Sequence, residues 1–125
     1  MYPILAKAIN FYAHFLHEGP DGRLHLLETR SPEYANAEDC TCDLSLVRWG
    51  VRTLIASAKL LRNNDPRLKR WQDIDQRLTP YAEDPAAGVL IGKDVPLAGS
   101  HRHHSHLLRL YPLRERNGTG PGTAM

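Results

Sequence analysis

The chain has only two cysteines, Cys40 and Cys42, and they are separated by a single threonine. A disulfide between them would close a very small, strained ring and add little stability. Zinc sites built from cysteines usually include a second cysteine pair, which this sequence lacks. We therefore expect two free thiols near a helix start, no bound metal and no cofactor.

Long apolar runs and a large excess of one charge are also missing. The apolar stretch from Ile4 to Leu16 is interrupted by Lys7, Asn10 and His14, so it is too short and too polar to span a membrane. It also lacks the basic flank and cleavage site of a signal peptide. The formal net charge is +2, with acids and bases interspersed. The sequence therefore predicts a soluble protein without nucleic-acid or membrane partners.

Apolar residues recur at three- and four-residue spacing in three segments, which predicts a mainly α fold. The three helices are expected at residues 3–17, 43–62 and 66–78. Asp43 and Asp65 stand where N-caps of the second and third helices belong. Within the second helix, Arg48 is interpreted as the partner of a nearby acid. Trp49 is interpreted as an indole packed between helices, with sugar stacking as the open alternative.

Shorter elements and a tail complete the predicted organisation. Alternation at residues 24–26 and the apolar triplet 89–91 each predict an extended piece. A last helix is expected at 101–110, with Ser100 as its cap. From Asn117 the sequence is rich in glycine, threonine and proline without periodicity, so residues 114–125 are expected to form a disordered tail.

Two segments carry an unusual density of polar side chains. Residues 31–34 read Ser-Pro-Glu-Tyr, which places the carboxyl group of Glu33 directly after a proline in a loop. Residues 101–112 read His-Arg-His-His-Ser-His-Leu-Leu-Arg-Leu-Tyr-Pro, and they crowd four histidines and two arginines into nine positions. Together the two segments predict a polar pocket that faces a substrate.

In this order the two segments resemble the catalytic domain of glycoside hydrolase family 95, the inverting α-L-fucosidase type. That family carries a Ser-Pro-Glu-Asn-like loop and, later, a His-Arg-His-x-Ser-His-Leu-x-x-Leu-Tyr-Pro segment. Residues 43–50 resemble the helix that follows the family's glutamate loop. The resemblance runs from about Tyr2 to Leu113. It implies helix pairs from part of an (α/α)6 toroid-like barrel, with residues 1–113 as a partial catalytic domain.

The resemblance implies inverting hydrolysis of α-L-fucosides or related glycosides. One carboxyl group then protonates the leaving oxygen, while a base activates water on the opposite face of the sugar. Glu33 matches the family's acid. The family's catalytic aspartate lies shortly before its histidine segment, where this chain has Ala-Gly-Ser at 98–100. Asp94 is the nearest acid, either as a displaced base or as a turn cap. The two asparagines that assist the base in the family have no counterpart here.

Three interpretations of the histidine segment remain open. The resemblance implies hydrogen bonds to sugar hydroxyls from His101, Arg102, His103 and His106. A metal site is the second interpretation, because His103 and His106 are three residues apart, although neither an acidic nor a cysteine partner is evident. The third interpretation is structural, with imidazoles bridging buried backbone groups near a helix end.

Part of a toroid exposes helix faces that its neighbours would cover. Because the asparagine pair is missing and no carboxylate stands directly before the histidine segment, we expect a partial catalytic domain that takes a carbohydrate substrate and is inactive alone. Its expected protein partner is a second copy or a separately encoded remainder of the barrel. The alternatives are a non-catalytic helical module that binds carbohydrate or a partner, and a gene remnant with no activity.

Overall fold

The structure is a computed structural model that describes residues 1–32, 34–99 and 102–115. Three helices form its frame, as the apolar periodicity predicted: α1 (Tyr2–Phe15), α2 (Thr41–Leu60) and α3 (Leu68–Arg77). Short antiparallel strand pairs lie in the connections. These strands are β1 (Leu16–Glu18) with β2 (Leu24–Leu26), β3 (Thr29–Arg30) with β4 (Asn36–Ala37), and β5 (Glu83–Asp84) with β6 (Gly88–Val89).

Helix α1 ends two residues before its predicted end, because the chain changes to a strand. Leu16 adopts extended angles, with φ −75° and ψ 136°, and it pairs with Leu26 across the β1–β2 sheet. Gly22 takes a positive φ of 74° in the connecting turn, a conformation that glycine adopts without strain. The extended piece predicted at residues 24–26 is confirmed as β2.

Helix α2 begins before Asp43, so the prediction that Asp43 is its N-cap is wrong. The backbone N–H of Thr41 donates to the carbonyl of Ile91 at 2.8 Å, and the Thr41 hydroxyl donates to the carbonyl of Leu90 at 2.8 Å. Because this distant segment satisfies a backbone donor at the helix start, the helix extends to Thr41. Asp43 then lies in the first turn of α2.

Helix α3 begins at Leu68 rather than at residue 66. Asp65 organises the preceding turn, although it is not the N-cap residue itself. Its carboxylate accepts hydrogen bonds from the backbone N–H of Arg67 at 2.9 Å and from the Arg67 guanidinium at 2.7 and 2.9 Å. The Arg67 guanidinium holds the pKa of Asp65 well below its usual value.

The main core lies between the three helices and β2. Trp71 of α3 is fully buried, and the ring of Tyr2 meets its indole edge-on with 6.2 Å between ring centres. The other buried side chains of this core are Ala6, Ile9, Ala13, Leu24, Leu26, Leu44, Val47, Val51, Leu54, Ile74 and Leu78. Burial of these apolar groups is the main favourable term that holds the helices together.

Helix α1 is apolar on more than the face that it buries. Ile4, Phe11 and Phe15 remain 72%, 63% and 40% exposed. Ile4 and Phe15 belong, with Ile9, to the three- and four-residue repeat that predicts this helix. In the structure the buried residues of α1 are Ala6, Ile9 and Ala13.

A smaller second core joins the start of α2 to the last part of the described chain. Cys40, Cys42 and Ile91 are buried in it. Tyr34, Val95, Leu97 and Leu108 pack against them. This second core brings together the segments in which the sequence predicted a functional site.

The prediction of a helix at residues 101–110 is wrong for the described residues of this range. Only Ser105–Leu107 form a single 3-10 turn. An extended piece was also predicted at residues 89–91. Of these residues, Val89 is the last residue of β6. The backbone N–H of Ile91 donates to the carbonyl of Val95 at 2.8 Å. Residues 116–125 of the expected tail lie outside the described residues, as does Ser100. No helix in the described ranges combines the length and apolarity needed to cross a membrane.

Candidate active site

The two polar segments singled out in the sequence meet in the structure. The hydroxyl groups of Ser31 and Ser105 form a hydrogen bond with 2.6 Å between their oxygens, although 74 residues separate them along the chain. Both side chains are buried, at 1% and 5% exposure. A buried hydroxyl without a partner is costly, so this contact joins the Ser-Pro-Glu-Tyr loop to the histidine segment.

The loop around Glu33 is closed by its own backbone. The N–H of Ser31 donates to the carbonyl of Ala35 at 2.8 Å, and the N–H of Tyr34 donates to the carbonyl of Ser31 at 3.1 Å. These bonds tie Ser31 to Tyr34 and Ala35. Glu33 itself and His101 lie outside the described residues, so their assigned roles stay predictions.

Tyr34 fixes the segment that precedes the histidines. Its hydroxyl donates to the carbonyl of Pro96 at 3.4 Å and accepts from the N–H of Ala98 at 2.8 Å. Its ring packs in the second core beside Leu97 and Leu108. The family resemblance has asparagine at this position, and the larger phenol here ties the loop to residues 96–98.

The described residues that the resemblance assigns to the sugar are two exposed side chains and one buried ring. Arg102 and His103 are exposed, and the Arg102 guanidinium donates to Nε2 of His103 at 3.3 Å. His106 is 8% exposed, and its Nδ1 has no hydrogen-bond partner among the described residues. Burial, reinforced by the neighbouring His104, lowers the pKa of His106. A neutral ring offers one donor and one acceptor, so His106 is suited to a polar ligand group.

Tyr81 holds the far end of the histidine segment against α2. The guanidinium groups of Arg48 and Arg109 each lie 4.6 Å from the centre of its ring. The Tyr81 hydroxyl donates to the carboxylate of Glu115, and burial, with that bond, raises the pKa of Tyr81 to about 12. Cation–π contacts strengthen when they are desolvated. Arg109 is 4% exposed, so this cluster anchors residues 105–115.

Arg48 and Trp49 have different surroundings. The Arg48 guanidinium lies 4.0 Å from Glu115 and donates to the carbonyl of Thr79 at 2.9 Å, which confirms its predicted acidic partner. Trp49 is 42% exposed, so the prediction that it packs between helices is wrong. Its indole lines a cleft of about 280 Å³ beside Arg52 and Glu115.

Asp94 occupies the tight turn between Gly92 and Val95. It is exposed, with a positive φ of 57°, and the N–H of Val95 closes the turn on the carbonyl of Gly92 at 3.2 Å. Aspartate tolerates this left-handed conformation better than most residues. The geometry matches the turn-forming role that was considered beside the catalytic one.

Several residues of the site were not picked out from the sequence. Ser31 and Ser105 stand inside the two quoted segments, but no local signal shows that they pair across 74 residues. Tyr81 and Glu115 belong to neither segment. Their participation follows from packing around Arg48 and Arg109, which the spacing of residues along the chain does not reveal.

A comparison with known families finds a match over almost the whole chain. The family model described as the glycosyl hydrolase family 95 catalytic domain matches residues 1–123. The chain therefore belongs to this family of glycoside hydrolases. A comparison with curated protein sequences found no match.

Proposed function

We propose that the chain forms one wall of an inverting glycoside hydrolase active site for α-L-fucosides or related glycosides. The observation that carries the proposal is the buried hydrogen bond between Ser31 and Ser105. It brings the loop of the expected acid beside the segment expected to contact the sugar. Family membership supports glycoside hydrolysis as the reaction class. In this proposal the helices of the chain are part of an (α/α)6 toroid.

In this proposal Glu33 is the general acid that protonates the leaving oxygen. The two carboxyl groups of an inverting enzyme lie about 6.5–9.5 Å apart, which leaves room for the attacking water. Arg102, His103 and His106, together with His101, donate or accept hydrogen bonds at the sugar hydroxyls. The neutral ring of His106, with its unpartnered Nδ1 among the described residues, supports such a contact.

We propose that this chain lacks the part of the active site that holds the general base. Asp94 is the candidate base nearest to the histidine segment, but it is exposed in a tight turn. An activated water must be held on the face of the sugar opposite the acid. We therefore propose that the 125 residues alone do not hydrolyse the substrate, and that a second copy or a separate remainder of the barrel completes the pocket. The exposed apolar residues Ile4 and Phe11 on α1 and Leu60 at the end of α2 support such a partner.

The test compares hydrolysis of an aryl α-L-fucoside by the natural chain and by Glu33→Gln. We expect the two rates to be equal and no higher than the rate in buffer. Clear turnover by the natural chain that is abolished in Glu33→Gln would contradict the proposal of inactivity and would make Asp94→Asn the next variant to measure. Binding of L-fucose, with D-fucose as the mirror-image control, tests the sugar-contacting role separately. We expect His103→Ala to weaken binding of L-fucose.

A second candidate function is a non-catalytic carbohydrate-binding module, and the cleft beside Trp49 favours it. An exposed indole next to a guanidinium and a carboxylate combines a stacking surface with polar groups for sugar hydroxyls. If this cleft is the binding site, L-fucose will protect Trp49 from collisional quenching of its fluorescence, and His103→Ala will leave binding unchanged. The opposite pair of results supports the active-site proposal.

A further inference from the structure

Three potential metal ligands converge at the start of α2. The sulfur atoms of Cys40 and Cys42 lie 3.6 Å apart. A carboxylate oxygen of Asp43 lies within 4.8 Å of both sulfurs. This cluster is separate from the Ser31–Ser105 contact, and its thiols have no part in the proposed hydrolysis.

The spacing of the sulfurs suits a tetrahedral ion. Zinc–sulfur bonds are about 2.3 Å long, so two sulfurs on a tetrahedral zinc ion are about 3.8 Å apart. The observed separation of 3.6 Å requires almost no movement of either side chain. A disulfide, in contrast, requires the sulfurs to approach to about 2.05 Å.

The carboxylate of Asp43 is already oriented by neighbouring groups. One of its oxygens accepts a hydrogen bond from the hydroxyl of Tyr12 at 3.1 Å, and the other accepts from the hydroxyl of Thr29 at 2.6 Å. Both donors are neutral hydroxyl groups, so they leave the negative charge of the carboxylate in place. Each carboxylate oxygen can accept more than one bond, so Asp43 keeps the capacity to bind a cation. Metal-binding carboxylates commonly have such hydrogen-bonded support.

A groove gives access to this carboxylate from outside. The α1 groove has a volume of about 390 Å³ and is lined by Asp43, Thr29 and Tyr12 together with apolar side chains of α1 and the β2–β3 connection. The two thiols themselves are buried, at 0% and 5% exposure. The groove therefore reaches the site on the side of the Asp43 carboxylate, where water can supply a fourth ligand.

The charge balance is also favourable. Two thiolates and one carboxylate carry three negative charges, so a divalent ion leaves a net charge of −1. The first turn of a helix favours a negative charge, and the cluster lies in the first turn of α2. Binding releases the two thiol protons to solvent.

We propose that Cys40, Cys42 and Asp43 form a site for a thiophilic divalent cation, with zinc as its biological occupant. No metal was expected at the cysteines from the sequence, because Cys40 and Cys42 were considered without the carboxylate of Asp43. The bound ion would brace the start of α2, where Cys40 and Cys42 belong to the second core. The proposal does not depend on the proposed hydrolytic function.

The test titrates the reduced, metal-stripped chain with Cd²⁺ and follows the ultraviolet charge-transfer absorbance of cadmium–thiolate bonds. This signal reports sulfur ligands and is not produced by binding to histidines. We expect saturation at one Cd²⁺ per chain, release of two protons, and competition from a large excess of Zn²⁺. We expect Asp43→Asn to weaken binding by at least tenfold, since loss of a hydrogen-bonded outer partner alone costs roughly 10–100-fold.

Asp73→Asn is the matched control, because it removes an exposed carboxylate on α3, and we expect it to bind like the natural chain. Asp43→Asn keeps both sulfurs and an oxygen that can accept a hydrogen bond, so it tests the site without removing a buried thiol. Absence of the charge-transfer signal at stoichiometric Cd²⁺ would overturn the proposal. Equal affinity in Asp43→Asn and Asp73→Asn would also overturn it.

Discussion

The hydrogen bond between Ser31 and Ser105 allows a direct test of whether the two polar segments meet in solution. Replacing either serine with alanine leaves the other hydroxyl buried without its partner, because both side chains are almost fully enclosed. We expect each single variant to lose about 1–3 kcal/mol of unfolding free energy. The double variant leaves no orphaned hydroxyl, so it should lose little more than either single variant.

The assay is a double-mutant cycle measured by urea unfolding. With a urea dependence of about 2 kcal/mol per molar, a loss of about 2 kcal/mol lowers the unfolding midpoint by about 1 M. The coupling energy between the two serines should be about 1–2 kcal/mol, within the range of residues in contact. A parallel cycle that pairs Ser31→Ala with Ser57→Ala, on the last turns of α2, should be additive. A coupling energy near zero for Ser31 and Ser105 would refute the juxtaposition of the two segments.

Two further predictions concern other parts of the fold. His25 contacts Asp39 at 2.7 Å and Asp21 at 3.0 Å, and the hydrogen bond with Asp39, with Asp21 adding to it, raises the pKa of His25 above its usual value. Its stabilising contribution is therefore complete below the unfolded-state pKa, about 6.5, and is lost as the pH rises through the higher folded-state pKa. The stability difference between the natural chain and His25→Gln should shrink from pH 6 to pH 9, and a difference that grows would contradict this assignment. Trp71→Ala should lower the free energy of unfolding by about 3–5 kcal/mol, because it opens a cavity in the main core. Trp49→Ala should lower it by less than about 1 kcal/mol, because Trp49 is 42% exposed. Equal losses in urea unfolding would show that the two indoles have been misplaced.

The local sequence was sufficient to predict the three helices and the extended piece at β2. Their apolar residues repeat at intervals of three and four or alternate, and this pattern is a property of neighbouring residues. It did not predict which apolar side chains of α1 would be buried. Ile4 and Phe15 belong to the same periodic stripe as Ile9, but only Ile9 meets the other helices.

The sequence also identified the two segments that define the candidate site, because their composition is unusual and resembles one enzyme family. It did not show that Ser31 and Ser105 would bond, that Tyr81 would lie between Arg48 and Arg109, or that Asp43 would stand beside two thiols. It also predicted a helix where the described residues of the histidine segment form only a 3-10 turn.

These outcomes have a common physical reason. Helix and strand preferences act over a few residues, so the sequence by itself determined approximately where the three helices and β2 lie. Contacts that hold the site join residues tens of positions apart, and they form only when the helices have packed. The start of α2 shows this difference: Asp43 had the side chain of an N-cap, but hydrogen bonds from Thr41 to Leu90 and Ile91 moved the helix start. The tertiary structure thereby freed the Asp43 carboxylate to face Tyr12, Thr29 and the two sulfurs.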